Sequence, residues 1–389
     1  MNSNTNDRHE TSKWLRLHLT NQVGSRTFAK LLRHFGGIDQ ALGASPNQLA
    51  SVPGIGPKKA EKIARHRDAI DIDAELDLAE KIGVRIITIE SDEYPRLLRE
   101  INDPPHVLYV KGSFSDPDSL CLAVVGSRNC SLYGQEQASR LSNLLAAAGF
   151  TIVSGLARGI DTAAHRGALA AEGQAIAVQG CGLNQVFPPE NKELAQMIAQ
   201  QGALMSELPL TFEPLATTFP MRNRIISGLS LATLVVEARP QSGALITARL
   251  AVEQNREVMA VPGRIDAPGS WGPHQLIKDG AKLVEKIEDV LDALGHIGPL
   301  VKNPVVQAAD QAQKKVEPSL FSIDQLNLTS MENQVLACIE HDPVHIDQII
   351  HESGLSAAQV NATLTSLQLK GLIKSLPGGY FRSRITSKQ

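Results

Sequence analysis

Two strand–glycine turn–helix units stand back to back between Leu120 and His165, and they constrain the fold more than any other stretch. An apolar run rich in β-branched residues over 122–125 ends at Gly126-Ser127-Arg128, and apolar residues then recur at helical spacing over 135–148. The next strand, 151–153, ends in Ser154-Gly155-Leu-Ala-Arg158-Gly159, and a helix follows over 160–171. Consecutive units of this kind build a parallel sheet whose strand ends carry the binding crevice. Helix N-termini on that edge attract anions through unpaired N–H groups and a positive dipole. With an arginine in each turn, the ligand this predicts is a phosphate.

The pattern continues with strands over 175–178, 203–205, 233–237 and 257–261. Helices are predicted between them over 190–201, 222–229 and 244–254, then over 274–280 and 287–294. The fold class this gives is α/β: an extended, doubly wound, mainly parallel sheet with helices on both faces. Residues 1–10 read as a disordered tail, 11–70 as an all-helical domain, and 71–118 as a connector with edge strands over 84–89 and 105–112. The central domain spans 119–295. Residues 296–328, rich in proline, glutamine and small residues, read as a linker, and 329–385 as a winged helix of three helices and a hairpin.

Within the helical domain, Ser51-Val-Pro-Gly54-Ile-Gly56-Pro-Lys58-Lys59 resembles a helix-hairpin-helix. In that motif hairpin N–H groups and nearby lysines hold a phosphate without reading sequence; a packing turn with no DNA role accounts for the same residues. The net charge of −3 hides a local imbalance. Residues 11–70 hold ten Lys/Arg against three Asp/Glu, a balance of +7, whereas residues 71–120 carry −7. A basic block binds nucleic acid even within an acidic whole. The third helix of the C-terminal unit has one lysine and no arginine, so it is expected to contact protein, or DNA weakly through the wing, rather than to read the major groove.

Several enzyme classes lack their motifs. No G-x-x-x-x-G-K-[ST] occurs, and Gly180-Cys-Gly182 is followed by Gln185 where a dinucleotide fingerprint needs glycine. Glu207, Glu237 and Asp161 stand at strand ends as a nucleotide-binding hydrolase would require, and this is the rival reading. Asp161 and His165, four apart, form a cap or an ordinary helix pair more readily than a dyad. Four scattered cysteines without a C-x-x-C pair predict free thiols in a reducing cytoplasm, with no metal. The polar first ten residues are unlike a signal peptide, and no apolar run nears the roughly 20 residues of a membrane span. Cations suit a polyanion instead: Arg128, Arg158 and a helix predicted to open with Arg222, Asn223 and Arg224 in its first turn. Phe219 is placed either to stack on a base or to sit in the core.

Gly126-Ser-Arg128, Ser154–Asp161, Phe219–Gly228, Ser242-Gly243-Ala-Leu-Ile-Thr-Ala248 and Val261-Pro-Gly263, in this order, resemble the DNA-processing protein A (DprA/Smf) family. The resemblance implies an extended Rossmann-like domain that binds single-stranded DNA, loads the RecA recombinase onto it in natural transformation, and acts without catalysis or cofactor. The DNA contacts expected are Gly126, Ser127, Arg128, Ser154, Gly155, Arg158, Gly159, Lys192, Phe219, Arg222, Asn223, Arg224, Ser242 and Gly243. Gly54, Gly56, Lys58 and Lys59 are expected as a secondary contact. Residues 274–284 match the region such proteins use for a homodimer and for RecA, which points to His274, Leu276, Ile277 and Leu283. The chain departs at Pro189 and Ala216, where some members place lysine, and Lys192 is expected to compensate.

Overall fold

The computed structural model describes residues 2–114, 120–295, 328–339, 342–369, 372–376 and 378–383. The chain divides between residues 314 and 315 into two compact units. The expected linker lies, but for Leu328, outside the described residues.

Six helices open the first unit: α1 (Asn2–Leu19), α2 (Ser25–Phe35), α3 (Ile38–Gly43), α4 (Pro46–Ala50), α5 (Pro57–Ala69) and α6 (Ile72–Ile82). Residues 1–10, expected as a tail, are largely taken into α1; Arg8 reaches across to Asp77 on α6 at 2.7 Å. Between α4 and α5 the chain makes the expected hairpin, with Val52 and Ile55 buried and Gly54 at φ +85.

Nine strands then form one sheet: β1 (Val84–Thr88), β2 (Val107–Gly112), β3 (Cys121–Val125), β4 (Thr151–Ser154), β5 (Ala175–Val178), β6 (Ala203–Ser206), β7 (Ala232–Val235), β8 (Glu257–Ala260) and β9 (Lys282–Leu283). Their order is β1-β2-β6-β5-β4-β3-β7-β8-β9, parallel from β6 to β9, with β1 and β2 antiparallel at one edge. β9, for which no strand was predicted, stands at the opposite edge among the described residues. Every residue of β3 is buried because both faces are covered, and alternate side chains enter separate cores. Leu122 and Val124 face a core shared with α8 (Leu132–Ala147), α9 (Ile160–Ala170) and the N-terminal helices. Ala123 and Val125 face a second core closed by α11 (Thr218–Gly228) and α12 (Gly243–Glu253). Helices α10 (Lys192–Gln201), α13 (Trp271–Lys278) and α14 (Ile287–Ala293) complete this unit.

The N-terminal helices dock through an aromatic stack. Trp14 lies on Phe28 at 5.6 Å, and Phe28 on His106 of the α7 (Arg96–Arg99)–β2 connection at 4.2 Å. His18 donates from Nε2 to the carbonyl of Glu207 at 2.8 Å.

The second unit contains α15 (Ser330–Ala337), β10 (Val344–His345), α16 (Ile346–Ser353), α17 (Ala357–Leu369), β11 (Ile373–Leu376) and β12 (Tyr380–Ser383). Its three-stranded sheet, ordered β10-β12-β11, packs with the helices as the expected winged helix around Val335, Ile349, Val360 and Leu367. Lys370, the one lysine of the predicted third helix, lies outside the described residues.

Burial, reinforced by His18 and Arg224, pulls the His106 imidazole from its ordinary 6.5 down to about 4. The unfolded chain therefore binds a proton there that the folded one refuses. The stability this group contributes is complete above about pH 6.5 and is lost as pH falls toward 4. The loss amounts to up to about 3 kcal/mol. His106→Phe, which keeps the ring stack and removes the titration, is expected to flatten the urea midpoint between those pH values relative to the parent.

Candidate nucleic-acid interface

The strand order reverses at β3. From β3 the chain builds outward through β4, β5 and β6, then crosses back to place β7 on the other side of β3. The crevice outside the carboxyl ends of two such strands is where α/β sheets bind ligands. An open cleft of about 680 Å³ occupies this position, with Gly126 on one side and Ser242-Gly243 on the other.

Close backbone approach builds its floor. Ser127 donates its N–H to the carbonyl of Glu237 at 2.7 Å, and Ile160 donates to the carbonyl of Ser127 at 3.2 Å. A Cβ on Gly126 would lie 2.5 Å from the Ile160 side chain and 2.9 Å from the Glu237 carbonyl, so only glycine fits. Gly159 adopts φ +74 and packs its Cα against the Ser127 carbonyl, which locks the two glycine turns together. The Glu237 carboxylate accepts the Ser131 N–H at 2.9 Å and its hydroxyl, holding the loop that leads into α8.

The main-chain donors expected to hold phosphate are therefore occupied in part. Besides Ser127 N–H, those of Gly155 (3.1 Å) and Ala157 (3.3 Å) go to the Asp161 carboxylate, and Ser154 Oγ bonds the Val124 carbonyl. Ser154 and Gly155 are interior residues, and neither lines the cleft. Burial raises the Asp161 pKa while Arg222 and these N–H groups oppose the shift.

The arginines divide three ways. Helix α11 starts at Thr218, four residues before the predicted start, so Arg222 and Arg224 lie in its second turn rather than its first. Two residues apart, they point to different faces. Arg222 turns under the sheet edge, donating from Nη1 to the carbonyls of Gly155, at 2.6 Å, and Val178, while still lining the cleft. Burial lowers its pKa to about 10, with Asp161 opposing, so it stays a cation at neutral pH. Arg224 points away from the cleft. Its Nη2 engages both oxygens of Glu207 at 2.6 and 2.7 Å, and its Nε lies 3.3 Å from Asp103. The expectation that Arg224 contacts DNA is corrected: it is a buried ion pair. Arg158 is exposed but paired with Glu190, and neither Arg158 nor Lys192 nor Gly159 is among the residues lining the cleft.

Arg128 is exposed over the cleft, its guanidinium 5.5 Å from the centre of the Phe219 ring, with Arg222 at 6.0 Å from the same ring. Phe219 is half-buried between them, and Phe187, 5.4 Å away, is the more exposed ring. Asn223 donates to the Gly243 carbonyl at 3.3 Å, bracing the turn that opens α12, and Ser242 caps that helix. Two lining residues were missed from the sequence. Arg239 is exposed in the turn after β7, across the switch point from Arg128, and its place in a glycine-containing strand-end turn was the signal for it. Phe187 comes from a loop with no local signal. Gly54, Gly56 and Lys58 are exposed on the N-terminal hairpin, and Lys59 is half-buried there.

Of the expected partner residues, Ile277 and Leu283 line a second apolar hollow, below Trp271 and Ile265. His274 lines it too, while tied to the Gly263 carbonyl at 3.0 Å. Leu276 packs instead against the second core.

Arg224→Ala would leave Glu207 and Asp103 as uncompensated, mostly buried carboxylates. It is expected to cost about 3–5 kcal/mol of stability in urea unfolding, without altering the cleft-lining side chains.

Residues 85–295 match the family model described as DNA recombination-mediator protein A. Residues 8–76 match the DprA-like N-terminal HHH domain, and residues 322–379 the DprA winged helix domain. Protein Smf of Synechocystis is 34% identical over 96% of this chain and 99% of its own length. Protein Smf of Escherichia coli is 42% identical over 80% of this chain and 81% of its own. The X-ray structure of DNA processing protein A from Streptococcus pneumoniae superposes with a TM-score of 0.64 at 36% identity, covering 72% of this chain and 97% of that one. On sequence, domain composition and fold together, the chain belongs to the DprA/Smf family of DNA recombination-mediator proteins.

Proposed function

We propose that this protein binds single-stranded DNA in the cleft at the switch point, without sequence preference, and loads the RecA recombinase onto that strand as a recombination mediator. One observation carries the reading. Three guanidinium groups, Arg128, Arg222 and Arg239, converge on an open crevice that also presents Phe187 and Phe219. Asp161 is the one carboxylate among its described lining residues, and it is buried, with its Oδ2 accepting two backbone N–H groups. Cations with aromatic faces suit a phosphodiester backbone with unstacked bases. A hydrolase would want a carboxylate with free lone pairs facing the substrate.

The second surface fits a homodimer. Ile265, Trp271 and Leu283 are 95%, 47% and 44% exposed around the α13–β9 hollow, and β9 has no further strand beside it among the described residues. Exposed apolar groups beside an open strand edge favour association with a second copy. RecA, on this reading, meets the same region once DNA is bound.

Arg128→Ala and Arg239→Ala are each expected to weaken binding of unrelated single-stranded oligonucleotides by the same factor. Each should also flatten the dependence of log K on log salt by about 0.7. Fluorescence anisotropy across a salt series reads both quantities. An unchanged slope in a folded variant, or release of free base from nucleoside monophosphates by the parent, would sink the proposal. Separately, Leu283→Glu is expected to convert the dimer to a monomer in sedimentation while leaving the affinity of one site intact.

A further inference from the structure

The N-terminal unit carries a charge distribution that its packing does not explain. Of the three acids in residues 11–70, Asp39 is 2.9 Å from Lys13 and Asp68 is 2.8 Å from Arg67, both away from the hairpin; the third, Glu61, sits on α5. Arg26, Lys30 and Arg33, one helical face of α2 at i, i+4 and i+7, are all exposed, and none has an acidic partner among the described residues. Lys58 on α5 is in the same state. The two sets meet at the hairpin. Lys30 Nζ lies 3.4 Å from the Pro53 carbonyl and beside the Cα face of Gly54, and Lys59 Nζ lies 3.4 Å from the Thr27 hydroxyl. Like charges are held together here with no ion pair to any of them among the described residues.

The same three α2 cations line a cleft of about 420 Å³ whose far wall is the C-terminal end of α12. Ile246, which lines the sheet-edge cleft, and Leu250 and Glu253, which line this one, stand at i, i+4 and i+7 of α12. One face of that helix therefore opens on both clefts, separated by at most the eleven residues, about 16 Å, of its length. Asp103 and Glu253 also line the second cleft. Asp103 shares Arg224 with Glu207, so the lining of the second cleft sets three cations against two carboxylates.

We propose that the α2 face of the N-terminal unit, Arg26, Lys30 and Arg33 together with the hairpin lysines, is a second phosphate-binding surface that receives the same DNA strand after it runs along α12 from the sheet-edge cleft. The inference rests on the reading of that cleft as the primary site. It commits to the continuing single strand rather than a separate duplex, because the two clefts share a helix face and Ile246, an exposed apolar group, lies on it.

The test compares oligothymidylates of about 6 and about 25 nucleotides, bracketing the roughly 4–16 nucleotides that single-strand modules cover. They are titrated against the full chain and against the triple variant Arg26→Ala/Lys30→Ala/Arg33→Ala, whose three positions are exposed. The parent is expected to bind the long strand more tightly than the short. The triple variant should bind the short strand within about twofold of the parent, lose about tenfold on the long one, and show a long-strand salt slope smaller by about 2. Lys30→Glu alone should move the long-strand affinity in the same direction. A parent that binds neither length removes the primary reading. A parent that binds both, with a variant unchanged on the long strand or equally weakened on both, overturns only the second surface. Loss confined to a blunt duplex overturns the continuing-strand assignment.

Discussion

The guanidinium of Arg222 is the group on which the cleft depends. It bonds the carbonyls of Gly155 and Val178, so it closes the ends of β4 and β5, and it faces Asp161, which in turn caps the 154–159 turn. A charge in that position is costly to desolvate, as its lowered pKa records, yet a value of about 10 leaves it ionised. The cleft thus owns a positive charge that is fixed by its supports and poorly screened by water. Arg128, exposed and resting on Phe219, adds a solvent-facing cation beside the buried one. Charge of that kind is suited to phosphate groups, which carry no sequence information.

Helix α11 ties this site to the rest of the first unit. Its Arg222 face serves the cleft, and its Arg224 face joins Glu207 and Asp103 in a buried cluster. The Glu207 carbonyl receives His18 from α1. A single helix therefore connects the cleft edge to the docking of the N-terminal helices, whose basic α2 face is held at a defined place beside α12. The aromatic stack of Trp14, Phe28 and His106 completes the attachment. Its histidine is buried as the neutral form, so acid loosens this attachment.

Much of this architecture was legible along the chain. Short apolar runs of three to five residues predicted β3, β4, β5, β6, β7 and β8 to within a residue or two, because a strand buried on both faces leaves a continuous apolar signature. The hairpin of the N-terminal unit and the winged helix were equally plain, since glycine and proline punctuate both. Less legible were elements whose reason for existing is not local. β9 is two residues long, and pairing with β8 creates it. The first turns of α1 and α11 are polar or proline-containing and give no apolar period.

Residue types and spacing by themselves determined that a parallel sheet would present glycine turns and arginines at one edge, and that the basic excess would sit in the first seventy residues. Only the tertiary structure decided which arginine serves which purpose. Arg222 and Arg224 look equivalent in a string, but 200° of helical rotation sends one to the sheet edge and the other to buried carboxylates contributed from distant segments. The N–H groups of Ser127, Gly155 and Ala157 look like open donors until the fold brings Glu237 and Asp161 against them. A partner more than a few residues away leaves no periodic trace, so the difference between a group that holds the protein together and one that awaits a ligand is settled by packing.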